Sequence, residues 1–454
     1  MSQTIKLKKG FDINLAGKAK LEIESGVQPE TFAIKPTDFL GMVRPKLHVK
    51  EGDTVKAGTP VLYDKMVESV SYAAPVSGEI IEIKRGEKRK LLEIKILADK
   101  EIEFEQYSKY SISDIKALDR DTAVQALSAG GVWPNLIQRP YGIVADPTDT
   151  PKAIFISTFD THPLAPSIGF ALKGEDAYFQ AGIEALKKLT SGSVHVNLDG
   201  KSEVESIFSS LEGVELTKFA GPHPSGNVGV QIHHLNPINK GEKVWTVSPY
   251  GVVQIGKLLL EGKYDTSRPV AVGGDQIKDA KYFKTYSGAC VNKFVEGNLA
   301  SDNIRVISGN VLTGEKIDTT GYIGFYHNQV TAIKEGNYHE LFGWILPSTK
   351  KLSFHRAFGL LSFLNGKKEF SLDTNTRGQH RAFVASGVFE QVTPMDVLPT
   401  YLLKAILAED YDEMEALGIY ELVEEDLALC EFVDVSKHDV QAILRTGINL
   451  LINS

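Results

Sequence analysis

The chain has 454 residues, of which 42% are hydrophobic and 24% are charged, and its formal net charge is −8. This length exceeds what one hydrophobic core usually holds, so we expect three or four domains. The negative charge argues against nucleic acid as the main partner, and the apolar runs are too short and too interrupted for a membrane-spanning helix.

Residues 1–100 are predicted to hold an N-terminal segment followed by a small β-barrel. Two half-repeats, VRPKLHVKEGDTVKAGTPVLYDK from Val43 and APVSGEIIEIKRGEKRKLLEIKIL from Ala74, alternate apolar and polar residues around a charged glycine turn. The alternation predicts a barrel interior built from Val49, Val55, Val61, Ile81, Ile83, Ile94 and Ile96. The pattern resembles the barrel-sandwich hybrid of biotinyl and lipoyl domains, and APVSGEI is its most typical phrase.

That resemblance raises the hypothesis of a carrier module, because Asp64-Lys65 stands near the position of the modified lysine in lipoyl domains. The stretch KMVESVSYAAPVSG places more residues between Lys65 and the Ala-Pro than a tight lipoyl hairpin has. A longer hairpin does not hold the lysine at a fixed tip. We therefore interpret Lys65 as a surface lysine and keep the lipoyl-type carrier or scaffold module as an alternative.

Residues 101–263 predict a Rossmann-like α/β domain. KAIFIST, SVHVNLD and VELTKFA are predicted strands, and GEDAYFQAGIEALKKLT and SEVESIFSSLEG are the predicted helices between them. Strands separated by helices of this length imply parallel pairing with right-handed crossovers. Ligands bind at the carboxyl ends of such strands. Asp160 and His162 follow the first strand, and the segment that begins at Gly221 follows the third.

The segment GPHPSGNVGVQIHHLNP, residues 221–237, is rich in proline, glycine and histidine, which predicts irregular backbone with little room for a helix. On extended backbone, adjacent His233 and His234 point to opposite faces and do not easily share one metal ion. His223 lies between two prolines, and no metal-ligand spacing such as HxxxH is present. The glycines lack the Gly-Lys-Ser/Thr of a phosphate loop. Ligand binding, structural support and docking of a partner remain open.

The rest of the chain divides into three predicted parts. Residues 264–330 contain short strands and turns typical of a β-grasp (SLBB-like) domain, and residues 331–394 form a β-rich, aromatic-rich segment. Residues 395–454 predict a helical domain, in which Pro399 opens the first amphipathic helix. The predicted fold class is therefore an α+β multidomain chain with barrel-sandwich, Rossmann-like α/β, β-grasp and C-terminal helical domains.

Cofactor-binding signals are weak throughout the chain. No GxGxxG occurs, and Gly130-Gly131 is followed by Val132-Trp133-Pro134, which is too bulky and stiff for close approach to a dinucleotide phosphate. A tight turn in the core is the better interpretation of these glycines. Cys290 and Cys430 are the only cysteines, so the chain alone does not supply a four-cysteine iron–sulfur cluster.

Longer phrases carry a family resemblance. IKLKKGFDINLAGKA, GGVWPNLIQRPYG, AGPHPSGNVGVQIHHLNPI, RVISGNVLTGE, GFYHNQVTAI and LGIYELVEEDLALCEFV are similar to the A subunits of the sodium-translocating NADH:quinone oxidoreductases. The resemblance implies a bacterial six-subunit respiratory translocase that oxidises NADH, reduces ubiquinone or menaquinone, and exports sodium. It also implies a peripheral, quinone-associated subunit, with the flavins and the iron–sulfur centre in other subunits. A stand-alone flavin- or NADH-dependent oxidoreductase is the alternative.

Three further expectations complete this interpretation. The chain binds no cofactor or metal itself and has no catalytic residue of its own, and its partners are the other subunits of the complex and quinone. It lies on the cytoplasmic face of the inner membrane and contacts the membrane through partner subunits, because MSQTIKLKKGFDINL has no secretion signal. His223, His233 and His234 are candidate contacts to a quinone headgroup or a partner, in a slot lined by Val228, Val230, Ile232 and Leu235.

Overall fold

The computed structural model of the chain describes residues 3–342, 348, 350–355 and 368–453. Its strands, in chain order, are β1 (Gln3–Lys6), β2 (Ile23–Glu24), β3 (Thr31–Ile34), β4 (Pro45–Leu47), β5 (Thr54–Val55), β6 (Pro60–Asp64), β7 (Val67–Ala73), β8 (Gly78–Arg85), β9 (Leu91–Ala98), β10 (Ile137–Arg139), β11 (Ile143–Val144), β12 (Ile154–Ser157), β13 (Val194–Asp199), β14 (Glu215–Ala220), β15 (Val244–Thr246), β16 (Arg268–Gly273), β17 (Lys281–Thr285), β18 (Ile304–Ser308), β19 (Glu315–Ile317) and β20 (Gln329–Lys334).

The helices lie mainly in the second and last parts of the chain. In chain order they are α1 (Ile112–Ala117), α2 (Arg120–Ala129), α3 (Ile168–Ala171), α4 (Asp176–Leu186), α5 (Ser206–Ser209), α6 (Val228–Leu235), α7 (Pro249–Glu261), α8 (Asn292–Val295), α9 (Phe389–Val392), α10 (Pro399–Leu407), α11 (Tyr411–Ala416), α12 (Glu424–Val433) and α13 (Val440–Asn453). In the described residues, no helix is long and apolar enough to cross a bilayer.

The barrel-sandwich prediction is confirmed. A four-stranded sheet, β3-β9-β8-β5, and a three-stranded sheet, β4-β6-β7, enclose the buried side chains of Val61, Ile80 and Ile94. The expected interior position of Ile81 is wrong, because this side chain is 41% exposed. The pairing of β8 with β9 shifts register between Ile80 and Glu82, so Ile80 faces the interior instead.

The N-terminal segment ties the other domains together rather than joining the barrel. Strand β1 pairs in parallel with β14, and β2 pairs in parallel with β17. Residues 3–24 therefore supply one edge strand to the α/β sheet and another to the β-grasp sheet. The predicted domain boundary at residue 100 groups β1 and β2 with the barrel, although they lie in the sheets of two other domains.

The α/β domain contains a seven-stranded sheet in the order β1-β14-β13-β12-β15-β10-β11. Strands β12 to β14 pair in parallel as predicted, and β15 pairs in parallel with the other edge of β12. Helices α4 and α7 pack closely, because a Cβ on Gly182 would lie 2.2 Å from the Val252 carbonyl oxygen. The strand order β14-β13-β12-β15 is that of a Rossmann half-sheet, and its switch point lies between β12 and β15.

The β-grasp domain contains a six-stranded sheet in the order β19-β18-β20-β16-β17-β2. Strand β20 lies near its centre and pairs in parallel with β16 and antiparallel with β18. Residues 309–314 and 324–328 connect strands of this sheet. These two connections carry the residues through which the β-grasp domain contributes to the site described below.

The segment 331–394 contains little regular structure where it is described. Beyond the end of β20 it has isolated bridges at Phe370 and Asp373 and the short helix α9, and its other described residues form no strand. The remainder of this predicted β-rich segment, residues 343–347, 349 and 356–367, lies outside the described residues.

The C-terminal residues form a helical domain with its own core, as predicted. Pro399 occupies the first turn of α10, and Leu402, Leu427 and Leu444 bury their side chains between α10, α12 and α13. Val230 of α6 joins the same cluster. The α/β and helical domains therefore share a packed boundary, which places the histidine-rich segment at that boundary.

Candidate binding cleft between three domains

The histidine-rich segment contains a helix, so the prediction of extended backbone without a helix is wrong. Residues 221–227 form a loop, and α6 follows directly after Asn227. The stretch 228–236 holds no proline, and burial of Val230 and Ile232 stabilises the helix against its neighbours. Gly229 allows close packing, because a Cβ there would lie 2.3 Å from Asp426 Oδ1 and 2.5 Å from Arg139 Nη1.

Both histidines of α6 bond to the C-terminal part of the chain. The Nδ1–H of His233 donates to Glu421 Oε2 at 2.7 Å, and its Nε2 accepts the Asp396 N–H at 2.9 Å. The Nε2–H of His234 donates to the Pro394 carbonyl oxygen at 2.9 Å. These contacts dock α6 on the helical domain, which agrees with the structural alternative considered for the segment.

His223 lies inside the protein, with 1% of its surface exposed. Thr161 Oγ1 accepts the Gly226 N–H at 3.1 Å and donates to His223 Nδ1 at 3.0 Å. The backbone N–H of His223 donates to Asp12 Oδ1 at 2.7 Å. Burial, with help from the charge of neighbouring His162, lowers the pKa of His223 to about 3. His223 is therefore a neutral side chain that connects three segments.

Asp160 and His162 lie at the carboxyl end of β12, as the sequence predicts. The Nδ1–H of His162 donates to Asp160 Oδ1 at 2.6 Å. Burial opposes the charge on both groups, but their mutual attraction outweighs it, so the pKa of Asp160 falls to about 2 and that of His162 rises. The ring centroids of His162 and His223 are 4.7 Å apart. The pair is a half-buried ion pair beside a neutral imidazole.

A second buried ion-pair cluster was missed by the sequence analysis. Arg139, 2% exposed, donates to Asp426 Oδ2 at 2.6 Å and also to Glu425. Glu424 of the same helix end pairs with Arg445. The run Glu424-Glu425-Asp426 predicts a helix start, because the helix dipole stabilises acids there, but it does not by itself show that a buried arginine pairs with them. The cluster fastens α12 to β10.

A cleft of about 620 Å³, termed the central cleft, opens where the α/β, β-grasp and helical domains meet. Ser157 and Phe159 line it from the switch point of the α/β sheet. His327 and Asn328 line it from the β-grasp domain, and Val423 and Glu425 from the helical domain. Domain interfaces and sheet switch points are the usual positions of ligand sites.

The central cleft combines apolar walls with polar and charged groups, which include Arg139 and Asp160. Phe159, Val228 and Val247 supply apolar surface. His327 supplies an imidazole, and Asn328 Oδ1 has no hydrogen-bond partner among the described residues. Of the predicted slot residues, Val228 lines the cleft, while Val230, Ile232 and Leu235 pack into neighbouring clusters. His223, His233 and His234 are not among its lining residues.

A second cleft of about 750 Å³ lies beside the first, at the ends of β12 and β13. Asp199, Glu203 and Glu205 give it an acidic lining, with Lys18 as a basic member. The two clefts share Asp160 and His162. An acidic lining repels phosphate groups, so the larger cleft is poorly suited to a nucleotide. The central cleft also has acidic residues, but its apolar walls make it the better candidate for an apolar ligand.

The other residues considered in the sequence analysis are the Asp64-Lys65 pair and the two cysteines. Asp64 is buried, and its carboxylate accepts the N–H groups of Val43, Arg44 and Met66, while Lys65 is exposed beside it. Cys290 and Cys430 are buried in different clusters, and burial raises the pKa of the Cys430 thiol to about 12. Within the described ranges, no group of three or more metal-binding side chains is placed to hold an ion.

Comparison with known proteins gives the family. Models described as the NqrA N-terminal barrel-sandwich hybrid domain, the NqrA second alpha/beta domain and the NQRA C-terminal domain match residues 5–99, 118–264 and 269–319. The A subunit of the Na(+)-translocating NADH-quinone reductase of Alcanivorax borkumensis is 39% identical over 98% of this chain and 99% of its own.

The chain belongs to this NqrA family. The corresponding protein of Serratia proteamaculans is 38% identical over 97% of this chain and 98% of its own, and that of a Marinomonas species is 36% identical over 98% and 99%. A solved NAD+-reducing [NiFe]-hydrogenase chain aligns over 78% of this chain and 67% of its own with 10% identity and a TM-score of 0.37, which is too low for a comparison of folds. The family match extends over all the domains that form the central cleft.

Proposed function

We propose that this chain is the A subunit of a bacterial sodium-translocating NADH:quinone oxidoreductase. The complex couples NADH oxidation and quinone reduction to sodium export, and this chain by itself is not a full catalytic unit. Support comes from relatives that carry this name and match nearly the whole chain at 36–39% identity. No such relationship favours a stand-alone flavin oxidoreductase or a carrier module.

The partners of the chain are the other subunits of that complex. We place it on the cytoplasmic face of the inner membrane, with its membrane contact made through integral subunits. We also expect it to hold no flavin or iron–sulfur centre of its own. The burial of Cys290 and Cys430 in separate hydrophobic clusters supports that expectation, because they do not ligate one cluster together.

The central cleft is the quinone-associated site in this proposal. The proposal rests on one observation: three domains converge at the switch point of the α/β sheet, around a cleft of suitable size that has apolar walls. A quinone headgroup needs a flat apolar slot and hydrogen-bond donors to its carbonyl oxygens. Phe159, Val228 and Val247 supply apolar walls, and His327 supplies a possible donor.

Membership of the complex is tested by purification from native membranes with a tag on this chain. We expect the integral subunits to co-purify and the preparation to reduce quinone with NADH. The isolated full chain should show no flavin absorbance. Recovery of soluble enzymes alone, or a stoichiometric flavin spectrum in the isolated chain, would overturn the assignment.

The position of the quinone is tested by filling the cleft. Val228→Trp places a bulky ring in the central cleft, and we expect the KM for quinone to rise about tenfold or more. NADH oxidation by an artificial electron acceptor, and assembly of the complex, should stay unchanged. The matched control is Val204→Trp, a half-buried valine of the neighbouring acidic cleft. Equal quinone KM values in both variants would show that quinone does not bind in the central cleft.

A further inference from the structure

His327 differs from the other histidines near the site in how its ring is held. It lies just before β20 and is half-buried. Ser308 Oγ, fully buried, lies 2.8 Å from His327 Nδ1 and also accepts the Gly324 N–H at 2.9 Å. Arg268 donates to the His327 carbonyl oxygen at 3.1 Å. The backbone and one ring nitrogen are therefore fixed.

This arrangement determines where the ring proton lies. Ser308 Oγ already accepts one hydrogen bond from Gly324, and its own hydroxyl hydrogen has no other acceptor among the described residues. The hydroxyl therefore donates to His327 Nδ1, so Nδ1 carries the lone pair. In a neutral imidazole the hydrogen then sits on Nε2. The Nε2–H has no hydrogen-bond partner within the described part of the chain.

The surroundings keep the ring neutral. Burial lowers the pKa of His327 to about 4, and the positive charges of Lys35 and Arg268 act in the same direction, against the opposing carboxylate of Glu315. A neutral Nε2–H is a hydrogen-bond donor that leaves no uncompensated charge beside an apolar ligand.

Two glycines give the ring its room. A Cβ on Gly324 would lie 2.7 Å from His327 Nδ1, and a Cβ on Gly309 would lie 3.2 Å from Nε2. Gly309 also lines the central cleft. The Nε2 edge of the ring therefore lies beside a cleft residue that has no side chain to cover it.

We propose that His327, held as its Nε2–H tautomer by Ser308, donates a hydrogen bond to one carbonyl oxygen of quinone in the central cleft. This inference rests on the proposed assignment of the cleft to quinone. No neighbouring histidine has the same combination of features. His162 lines the cleft and its Nε2 has no partner among the described residues, but its Nδ1–H is bonded to the Asp160 carboxylate and not to a neutral hydroxyl. His223 does not line the cleft, and both ring nitrogens of His233 are occupied.

The first test is made in the assembled complex. His327→Phe removes the donor, and we expect the KM for quinone to rise roughly tenfold, as for the loss of one hydrogen bond to a ligand. His327→Gln keeps an N–H donor and should show a smaller rise, and it also serves if the Phe variant does not assemble. The control is His48→Phe, an exposed histidine that stacks on Tyr63 in the barrel.

The second test reads the tautomer directly in the full chain labelled with 15N-histidine. We expect a neutral Nε2–H signal at pH 7 that disappears in His327→Phe and persists down to about pH 5. Ser308→Ala should produce a mixture of tautomers and a raised quinone KM. An Nδ1–H or doubly protonated ring at pH 7 would overturn the inference.

The outcomes also separate the two proposals. If Val228→Trp raises the quinone KM and His327→Phe and His327→Gln leave it unchanged, the cleft assignment stands and the role of His327 is refuted. If all three variants leave the quinone KM unchanged, the cleft assignment fails and the role of His327 fails with it.

Discussion

Helix α6 and the loop before β20 both present histidines near the central cleft, yet they use them differently. In α6, both ring nitrogens of His233 are bonded, to Glu421 and to the Asp396 N–H. In the loop, only Nδ1 of His327 is bonded within the described part of the chain, to Ser308. A histidine whose nitrogens are both satisfied supports the fold, and one with a free N–H beside a cleft is available to a ligand.

The comparison also explains why a segment rich in histidine need not be a ligand site. The segment 221–237 contains three of the chain's eleven histidines, but its helix is buried between the α/β sheet and the helical domain. Its polar groups therefore find protein partners. His327 stands alone in the sequence phrase GFYHNQ, and its place at a meeting point of three domains makes it available.

The largest effect should come from breaking the docking region. Arg139→Met leaves the buried Asp426 and the half-buried Glu425 without their cation, and we expect the free energy of unfolding to fall by about 3–5 kcal/mol. Denaturant unfolding of the full chain measures it. Arg305→Met is the matched control, because the Arg305 side chain is 34% exposed whereas that of Arg139 is 3% exposed, and pairs near the surface contribute about 0–1 kcal/mol. Equal losses in the two variants would contradict a docking role for Arg139.

A smaller loss is expected from the α6 histidine itself. His233→Phe leaves the Glu421 carboxylate and the Asp396 N–H without their partner, which should cost about 1–3 kcal/mol of stability. In complexes that still assemble, the KM for quinone should not change. A raised quinone KM with unaltered stability would place His233 in the ligand site and reverse the comparison with His327.

The lowered pKa values of two histidines predict a pH dependence of stability. The folded-state pKa values of His223 and His327, about 3 and about 4, lie below the ordinary value of 6.5. Below pH 6.5 the unfolded chain binds more protons than the folded chain. Lowering the pH therefore reduces the free energy of unfolding, by up to about 1.4 kcal/mol per pH unit for each histidine. The raised pKa of His162 acts in the opposite sense, since its contribution is lost as pH rises.

Unfolding measured between pH 4.5 and 7 tests this sign. His223→Gln should reduce the slope of stability against pH by up to about 1.4 kcal/mol per unit. A slope as steep as that of the unsubstituted chain would show that folding does not lower the pKa of His223.

The smallest effect is expected at the barrel hairpin. Lys65→Arg should leave assembly and quinone reduction unchanged, because Lys65 is exposed and the buried Asp64 beside it fixes the hairpin through backbone N–H groups. Intact-mass measurement of the native chain should show no lipoyl or biotinyl adduct. An adduct on Lys65 would revive the carrier hypothesis.

Local sequence patterns were sufficient for the domain types but not for the site. The alternation in the barrel and the strand–helix periods of the α/β domain are short-range signals, and both predictions were confirmed. The α6 helix was missed because the proline and glycine signals of residues 221–226 were extended to 228–235, where burial of Val230 favours a helix. The cleft is lined by residues such as Phe159, His327 and Glu425, which lie far apart in sequence.

The most direct test of the quinone assignment is photoaffinity labelling of the native complex with a quinone that carries a reactive group on its headgroup, followed by mapping of the labelled peptides. We predict that label in this chain falls within residues 246–250 and 326–329, which line the central cleft. An excess of unmodified quinone should remove it, and Val228→Trp should reduce it. Label confined to residues 233–237, or found only in other subunits, would contradict the assignment of quinone to the central cleft.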